Sequence, residues 1–237
     1  MPPGEIVYAI GDIHGRYDLL QELLGMITVD YFNTRKGKSL FLIFLGDYID
    51  RGPDSARVIS QVHQLVQQAE GRVRALKGNH EQVLLDFLVD PEAARDWLGF
   101  GGVETLQSYG VQVPMPPLTT QQLHALSRDL LVQMPPEHLE FLESLRPIFI
   151  MGDYVFVHAG LRPGVALADQ SEHDLLWLRE DASPKRWTFD KVAVHGHTPV
   201  EHVRLDTDCV GIDTGAYETD VLTALRMEDR SRQLIQT

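Results

Sequence analysis

Three stretches of the chain share one pattern: an apolar run stops abruptly in glycine followed by polar side chains. Ile6 to Ile10 run into Gly11-Asp12-Ile13-His14-Gly15, and Phe41 to Leu45 run into Gly46-Asp47 and then Asp50-Arg51-Gly52. Val73 to Leu76 run into Lys77-Gly78-Asn79-His80-Glu81. Short continuous apolar runs fit strands buried on both faces. Between them, apolar positions recur at helical spacing: Tyr17, Leu20, Leu23, Leu24 and Ile27 in one segment, and Val58, Ile59, Val62, Leu65, Val66 and Ala69 in the next. Glycine and aspartate often end a strand, so one such junction would be an ordinary turn. Three in succession, separated by helices, predict parallel strands whose carboxyl ends share one sheet edge. Ligands of open α/β sheets bind at that edge. Asp12, His14, Asp47, Asp50, Asn79 and His80 are therefore expected to converge.

The pattern then changes. Two stretches, 99–120 and 134–140, read as irregular connections, next to helical patterns in "TTQQLHALSRDLLVQM" and "PPEHLEFLESL". The prolines of the second fit a helix start, where the missing N–H costs nothing. Residues 90–146 are expected to form a helical insertion in a single domain spanning 1–237. Ile148 to Met151 and Tyr154 to Val157 predict a hairpin turning at Gly152-Asp153, with His158 just beyond it. "VAVHGHTPV" places His195 and His197 after another apolar run, and strands around Val210 to Ile212 and Val221 to Arg226 are expected to close the chain in antiparallel style.

With 237 residues and 43% hydrophobic content, the chain can bury one sizeable core. The single cysteine, Cys209, has no partner for an internal disulfide and reads as a small strand side chain. No apolar run is long enough to span a membrane and no signal-type region precedes the first strand, so a cytoplasmic protein with no membrane partner is expected. The formal net charge of −13, without any Lys/Arg-rich stretch, opposes binding to nucleic acid. Small phosphorylated ligands stay possible where bound cations supply positive charge.

Cations are what the clustered side chains call for. Carboxylates gathered at strand ends repel one another and cost desolvation energy unless they are paired, and few basic residues stand near them in sequence. Asp, His and Asn donors without thiolate suit Mn²⁺, Fe or Zn²⁺ at a non-structural site. Asp12, His14, Asp47, Asn79, His158 and His197 are too many ligands for one catalytic ion, so two divalent ions are expected. Asp47 is the candidate bridge between them, at a spacing of roughly 3.5–4 Å.

"GDIHG", "GDYIDRG", "GNHE", "HAGL" and "HGHT", in this order, resemble the signature blocks of the phosphoprotein phosphatase family of metallophosphoesterases. The bacterial and phage-type serine/threonine protein phosphatases look most alike, with the symmetrical diadenosine tetraphosphatases as relatives. The resemblance implies an α/β, calcineurin-like fold of two mixed β-sheets packed together and flanked by helices. It implies a first metal on Asp12, His14 and Asp47 and a second on Asp47, Asn79, His158 and His197. It also implies His80 as general acid, Asp50 as the carboxylate orienting it, and Arg51 as a phosphate-binding arginine. For the second such arginine, "DLLWLRED" points to Arg179, with Arg162 of "HAGLRPG" as the competitor. Where many metallophosphoesterases end in Gly-His-x-His, this chain has Pro199 in "GHTP", which favours the protein phosphatase branch and leaves His195 either lining the site or behind a metal ligand.

The expected activity is hydrolysis of phosphate monoesters, on phosphoprotein or small phosphoesters, by a metal-bridging hydroxide, with two ions, Mn²⁺ foremost. A symmetrical dinucleoside tetraphosphate hydrolase is the alternative, and a catalytically inactive binding module on the same fold is a third reading. His63, His124, His138, His173 and His202 read as solvated or capping histidines. Gly99, Gly101 and Gly102 read as a turn, and Trp177 as a core residue beside Arg179. Asp213 of "GIDTGAY" serves either a metal-bound histidine or a turn.

Overall fold

The computed structural model describes residues 1–179, 189–205 and 208–237. Its first half is the predicted alternation: β1 (Glu5–Ile10), α1 (Tyr17–Thr34), β2 (Ser39–Phe44), α2 (Ser55–Gln68), β3 (Val73–Ala75) and α3 (Asn79–Val89). A 3-10 turn, Arg95–Phe100, and the helices α4 (Gly102–Ser108), α5 (Thr120–Gln133) and α6 (Pro136–Ser144) follow. The chain continues through β4 (Ile148–Met151), β5 (Tyr154–Val157), α7 (Glu172–Trp177), β6 (Val192–His195), β7 (Cys209–Gly211), α8 (Ala216–Thr219), β8 (Thr223–Glu228) and β9 (Ser231–Gln236).

Two mixed sheets result, ordered β3-β2-β1-β8-β9 and β4-β5-β6-β7. β1, β2 and β3 are parallel, with β8 antiparallel to β1. β1 shows why its run is continuously apolar. Ile6, Tyr8 and Ile10 face the helices, while Val7 and Ala9 face the second sheet beside Phe156, Val194 and Val210, and all five are fully buried. Cutting one of these large side chains back to alanine costs about 2–5 kcal/mol. The β4-β5 hairpin lays Phe149 nearly parallel to Phe41 of the first sheet, ring centroids 5.8 Å apart.

Several elements depart from the sequence reading. β7 runs parallel to β6, not antiparallel. β9 went unpredicted: it is an edge strand, half exposed, whose alternation of Ser231, Arg232, Gln233 and Leu234 gives a weak apolar signal. α4 sits inside what read as irregular chain, since seven residues carry less than two periods of pattern. Trp177 is not a core residue but 38% exposed. His138 is not solvated: it is buried between Ser60 and Tyr109.

Candidate active site

Every predicted site residue except Arg179, which follows α7, lies after a strand end, and the strands deliver them to one edge. Asp12 and His14 follow β1, Asp47, Asp50 and Arg51 follow β2, and Asn79 and His80 open α3 after β3. His158 follows β5 and His197 follows β6. The loops are tied together through their backbones: Ile13 and His14 N–H groups donate to the Asp47 carbonyl at 3.0 and 2.9 Å, and Gly196 N–H donates to the His158 carbonyl at 2.8 Å.

This convergence is held under backbone strain. His14, Asp47, Asp50, Arg51 and His197 have φ of 46°, 52°, 73°, 66° and 64°. Non-glycine residues in this region cost about 1–3 kcal/mol each and persist only where the surroundings over-determine them. Glu81 is one such determinant. Fully buried, it accepts the N–H groups of Asp47 and Gly78 on Oε2, at 2.9 and 2.8 Å, and that of Tyr48 on Oε1 at 2.8 Å. Two motif glycines are required by close approach: a Cβ on Gly78 would lie 2.1 Å from Asp47 Oδ1, and one on Gly196 would lie 1.9 Å from Asp12 Oδ1.

The donor set fits divalent cations. His14, Asp47 and His80 present ligand atoms within 4.8 Å of one another, as do Asp47, His158 and His197, so Asp47 is common to both groups. Nδ1 of His158 donates to the Leu45 carbonyl at 2.9 Å, which leaves Nε2 as a lone pair. That lone pair faces Asn79 Oδ1 at 2.8 Å and Asp47 Oδ1 at 3.3 Å. Nδ1 of His14 is likewise spent on the Ile49 carbonyl at 2.8 Å, with Nε2 3.5 Å from Asp47 Oδ2. Acceptors turned on one another repel unless a cation lies among them. Among the described residues, Asp12 Oδ1 and His197 Nε2 are buried side-chain atoms without a hydrogen-bond partner. Asp12 is thus available as a ligand although it stands outside the two tightest groups.

Electrostatics agree. Burial pushes His14 and His197 down to about 3 and lowers His158, which keeps their imidazoles neutral, the form that binds metal. Burial, with Asp213 and Asp47 nearby, raises Asp12 well above the usual carboxylate range, and burial with Asp47 pushes Glu81 up to about 8. Negative charge is in excess here until cations neutralise it.

His80 differs from the other histidines. Burial works against its proton, yet Asp47 and a 2.6 Å hydrogen bond from Nδ1 to Asp50 Oδ2 push it up to about 9. Its Nε2 opens toward Arg51, whose Nη2 is 3.5 Å away. The Arg51 guanidinium stacks over Tyr217 at 4.3 Å, and Tyr217 also packs edge-on to His14. Arg51, Asn79, His80, Val83, Trp97, Phe100, Trp177 and Arg179 line a cavity of about 150 Å³. Arg162 is turned elsewhere, forked onto the Asp174 carboxylate. Trp177 stands over His197, and Arg179 is the last described residue before 180–188, so the final two residues of "DLLWLRED" lie outside the described chain.

Other readings resolve as follows. His195 is buried and lines a separate cavity with Cys209 and Gly211. His124 pairs with Glu92 on the surface, and His202 is exposed. Gly101 does turn, at φ 108°, but Gly102 begins α4. Asp213 accepts the Gly215 N–H at 2.8 Å, a turn contact, and is close enough to Asp12 to raise its pKa. Sequence reasoning gave no role to Glu81, Trp97, Thr105 or Tyr217. Glu81 and Tyr217 stood inside the quoted stretches "GNHE" and "GIDTGAY", whereas Trp97 and Thr105 had no signal.

Residues 6–223 match the model of the calcineurin-like phosphoesterase family. Serine/threonine-protein phosphatase 1 of Salmonella typhimurium is 30% identical over 94% of this chain and 92% of its own. The asymmetrical bis(5'-nucleosyl)-tetraphosphatase PrpE of Oceanobacillus iheyensis is 28% identical over 93% of this chain and 88% of its own. Among solved structures, a cold-active protein-tyrosine phosphatase of a Shewanella species superposes with a TM-score of 0.60 at 20% identity, covering 100% of this chain and 83% of that one. That last likeness is one of fold.

Proposed function

The chain belongs to the calcineurin-like phosphoesterase family of metal-dependent hydrolases, and within it we propose a phosphomonoesterase that acts on phosphorylated protein side chains in the cytoplasm. The observation that carries this reading is the cavity of about 150 Å³ at the metal-ligand cluster, sized for one terminal phosphoryl group and lined by Arg51, Arg179, Asn79 and His80. Among the described residues, no helix is long and apolar enough to cross a membrane.

Asp12, His14, Asp47, Asn79, His158 and His197 would hold two divalent ions, Asp47 belonging to both donor groups, and Mn²⁺ is the first choice for a mixed oxygen and imidazole set. When bound, the ions supply an acidified water as nucleophile and neutralise phosphate charge. The remaining work belongs to the chain. Arg51, held in place by Tyr217, and Arg179 grip phosphoryl oxygens through planar, forked donors. His80 delivers the Nε2 proton to the leaving oxygen while Nδ1–H stays on Asp50. The Trp97 and Phe100 rings wall the cavity and exclude water from it.

A second reading, dinucleoside polyphosphate hydrolysis, is favoured by the PrpE relatives, whose asymmetrical type differs from the symmetrical enzymes expected from the motifs. The surroundings speak against it. A neighbouring depression of about 490 Å³ shares Val83, Trp97 and Phe100 with the phosphate cavity and is rimmed by Asp86, Asp90 and Asp96. Such a rim repels a polyphosphate chain and tolerates a peptide. The test compares kcat/KM of Mn²⁺-loaded protein on phosphoserine and phosphotyrosine peptides, p-nitrophenyl phosphate and diadenosine tetraphosphate. A clear preference for the dinucleotide would replace the first reading by the second.

A further inference from the structure

Asp50 is fully buried, and both oxygens of its carboxylate are engaged by donors other than His80. Oδ2, which accepts from His80, also accepts the indole Nε1–H of Trp97 at 2.8 Å. Oδ1 accepts the Thr105 hydroxyl at 2.5 Å. The Asp50 backbone N–H completes the ring, donating to Ser55 Oγ at 3.0 Å and Thr105 Oγ1 at 2.9 Å. Trp97 and Thr105 are themselves buried, and Trp97 is wedged against Phe87 with ring centroids 4.9 Å apart, so its N–H cannot follow a moving acceptor.

Both donors come from one short segment between α3 and α5, the 3-10 turn and α4. Gly101 between them closes on the loop after β2: its carbonyl accepts Arg51 N–H at 3.4 Å, and a Cβ there would lie 2.3 Å from that nitrogen. A Cβ on Gly102 would meet the Trp97 ring at 2.5 Å. Residues 97–105 therefore lie directly on Asp50-Arg51, with no space for slippage.

We infer that Trp97 and Thr105 are positioning residues for proton delivery: together they clamp the Asp50 carboxylate in the orientation that aims the His80 imidazole at the leaving oxygen. The inference rests on the reading of His80 as general acid. A carboxylate is free to turn about its last bond, and each donor removes part of that freedom. Without Trp97 N–H, Oδ2 keeps His80 as its sole side-chain partner, and ring and carboxylate swing together. Proton transfer is sensitive to such small misplacements. The helical segment, and not the α/β scaffold alone, then sets how well the enzyme handles poor leaving groups.

The test uses two aryl esters that differ in leaving-group basicity, phenyl phosphate and p-nitrophenyl phosphate, with the Mn²⁺-loaded full chain. Trp97→Phe removes the indole donor, Thr105→Val removes the hydroxyl at constant shape, Thr105→Ser restores it, and His80→Asn is the reference. Trp97→Phe and Thr105→Val should each lower kcat on phenyl phosphate on the order of tenfold more than on p-nitrophenyl phosphate, a share of what general acid help is worth. Metal content should hold in both variants and KM in Thr105→Val, and Thr105→Ser should behave like wild type. Equal losses on both esters, with His80→Asn keeping its bias, would overturn the inference and make the segment a structural brace only. Equal losses in His80→Asn itself would remove the general acid, and the inference with it. Should Trp97→Phe fold poorly, the Thr105 pair decides.

Discussion

Nδ1 of His80 lies 2.6 Å from Oδ2 of Asp50, across 30 residues of sequence, and the bond leaves Nε2 to the cavity lined by Arg51 and Arg179. A serine alkoxide is nearly as basic as hydroxide, so its departure gains from a proton, by about 10²–10⁴-fold. A p-nitrophenolate departs without that help. His80→Asn should therefore slow hydrolysis of a phosphoserine peptide far more than that of p-nitrophenyl phosphate, and Asp50→Asn should show the same bias more mildly. Turnover numbers on the two substrates at saturating Mn²⁺ measure it, with equal losses ruling the acid out.

Asp47 is shared by both groups of metal-ligand atoms, whereas His14 belongs to one. Asp47→Asn is expected to lower the metal content at both positions and abolish activity, and His14→Ala to lose chiefly one ion. Elemental analysis of the purified variants reads this directly. An Asp47→Asn protein with wild-type metal content and turnover would end the bridging assignment.

The two candidate second arginines are in different company. Arg162 is occupied by Asp174, which lies beside it as a forked partner, while Arg179 lines the same cavity as Arg51 and His80. Arg51→Ala and Arg179→Ala should each reduce kcat/KM by the equivalent of roughly 2–5 kcal/mol. Arg162→Ala should change it little. The opposite ranking in steady-state kinetics would move the clamp to the loop after β5.

How far the sequence revealed this arrangement depended on the kind of signal. The ends of β1, β2 and β3 were legible because a strand buried on both faces, such as Ile6 to Ile10, leaves an uninterrupted apolar run, and its termination stands out. The candidate ligand side chains were legible because they sit at those terminations or, for His158 and His197, beyond the similar runs of β5 and β6. Trp97 and Thr105 were not, since nothing in "RDWLGFGGVETL" distinguishes a buried donor from a core side chain or a helix cap. Their role depends on a contact 47 and 55 residues away, with Asp50. Glu81 shows the middle case: its position in "GNHE" was visible, but that one carboxylate satisfies three backbone N–H groups could only be seen in three dimensions.

His138, read from sequence as a surface histidine, makes a pH-dependent contribution to stability. Ser60 donates its hydroxyl to the Ala56 carbonyl at 2.9 Å, so its oxygen accepts Nε2–H of His138 at 2.9 Å. Nδ1 is then the lone pair that accepts the Tyr109 hydroxyl at 3.0 Å, and this second bond requires a neutral ring. Burial accordingly lowers its pKa below the ordinary 6.5. For a group depressed in the folded state, the stabilisation is complete above the unfolded value and is lost as pH falls through the folded one. His138→Gln keeps one of the two bonds and does not titrate. It should be less stable than wild type by about 1–2 kcal/mol at pH 7, and the difference should narrow as the pH is lowered below about 6.5, where wild type alone gives up this term. Urea unfolding midpoints of both proteins across that range, with exposed His202→Gln as control, measure the gap. A gap that stays constant as the pH falls would mean that the ring between Ser60 of α2 and Tyr109 titrates alike in the folded and the unfolded protein, contrary to the bonding just described.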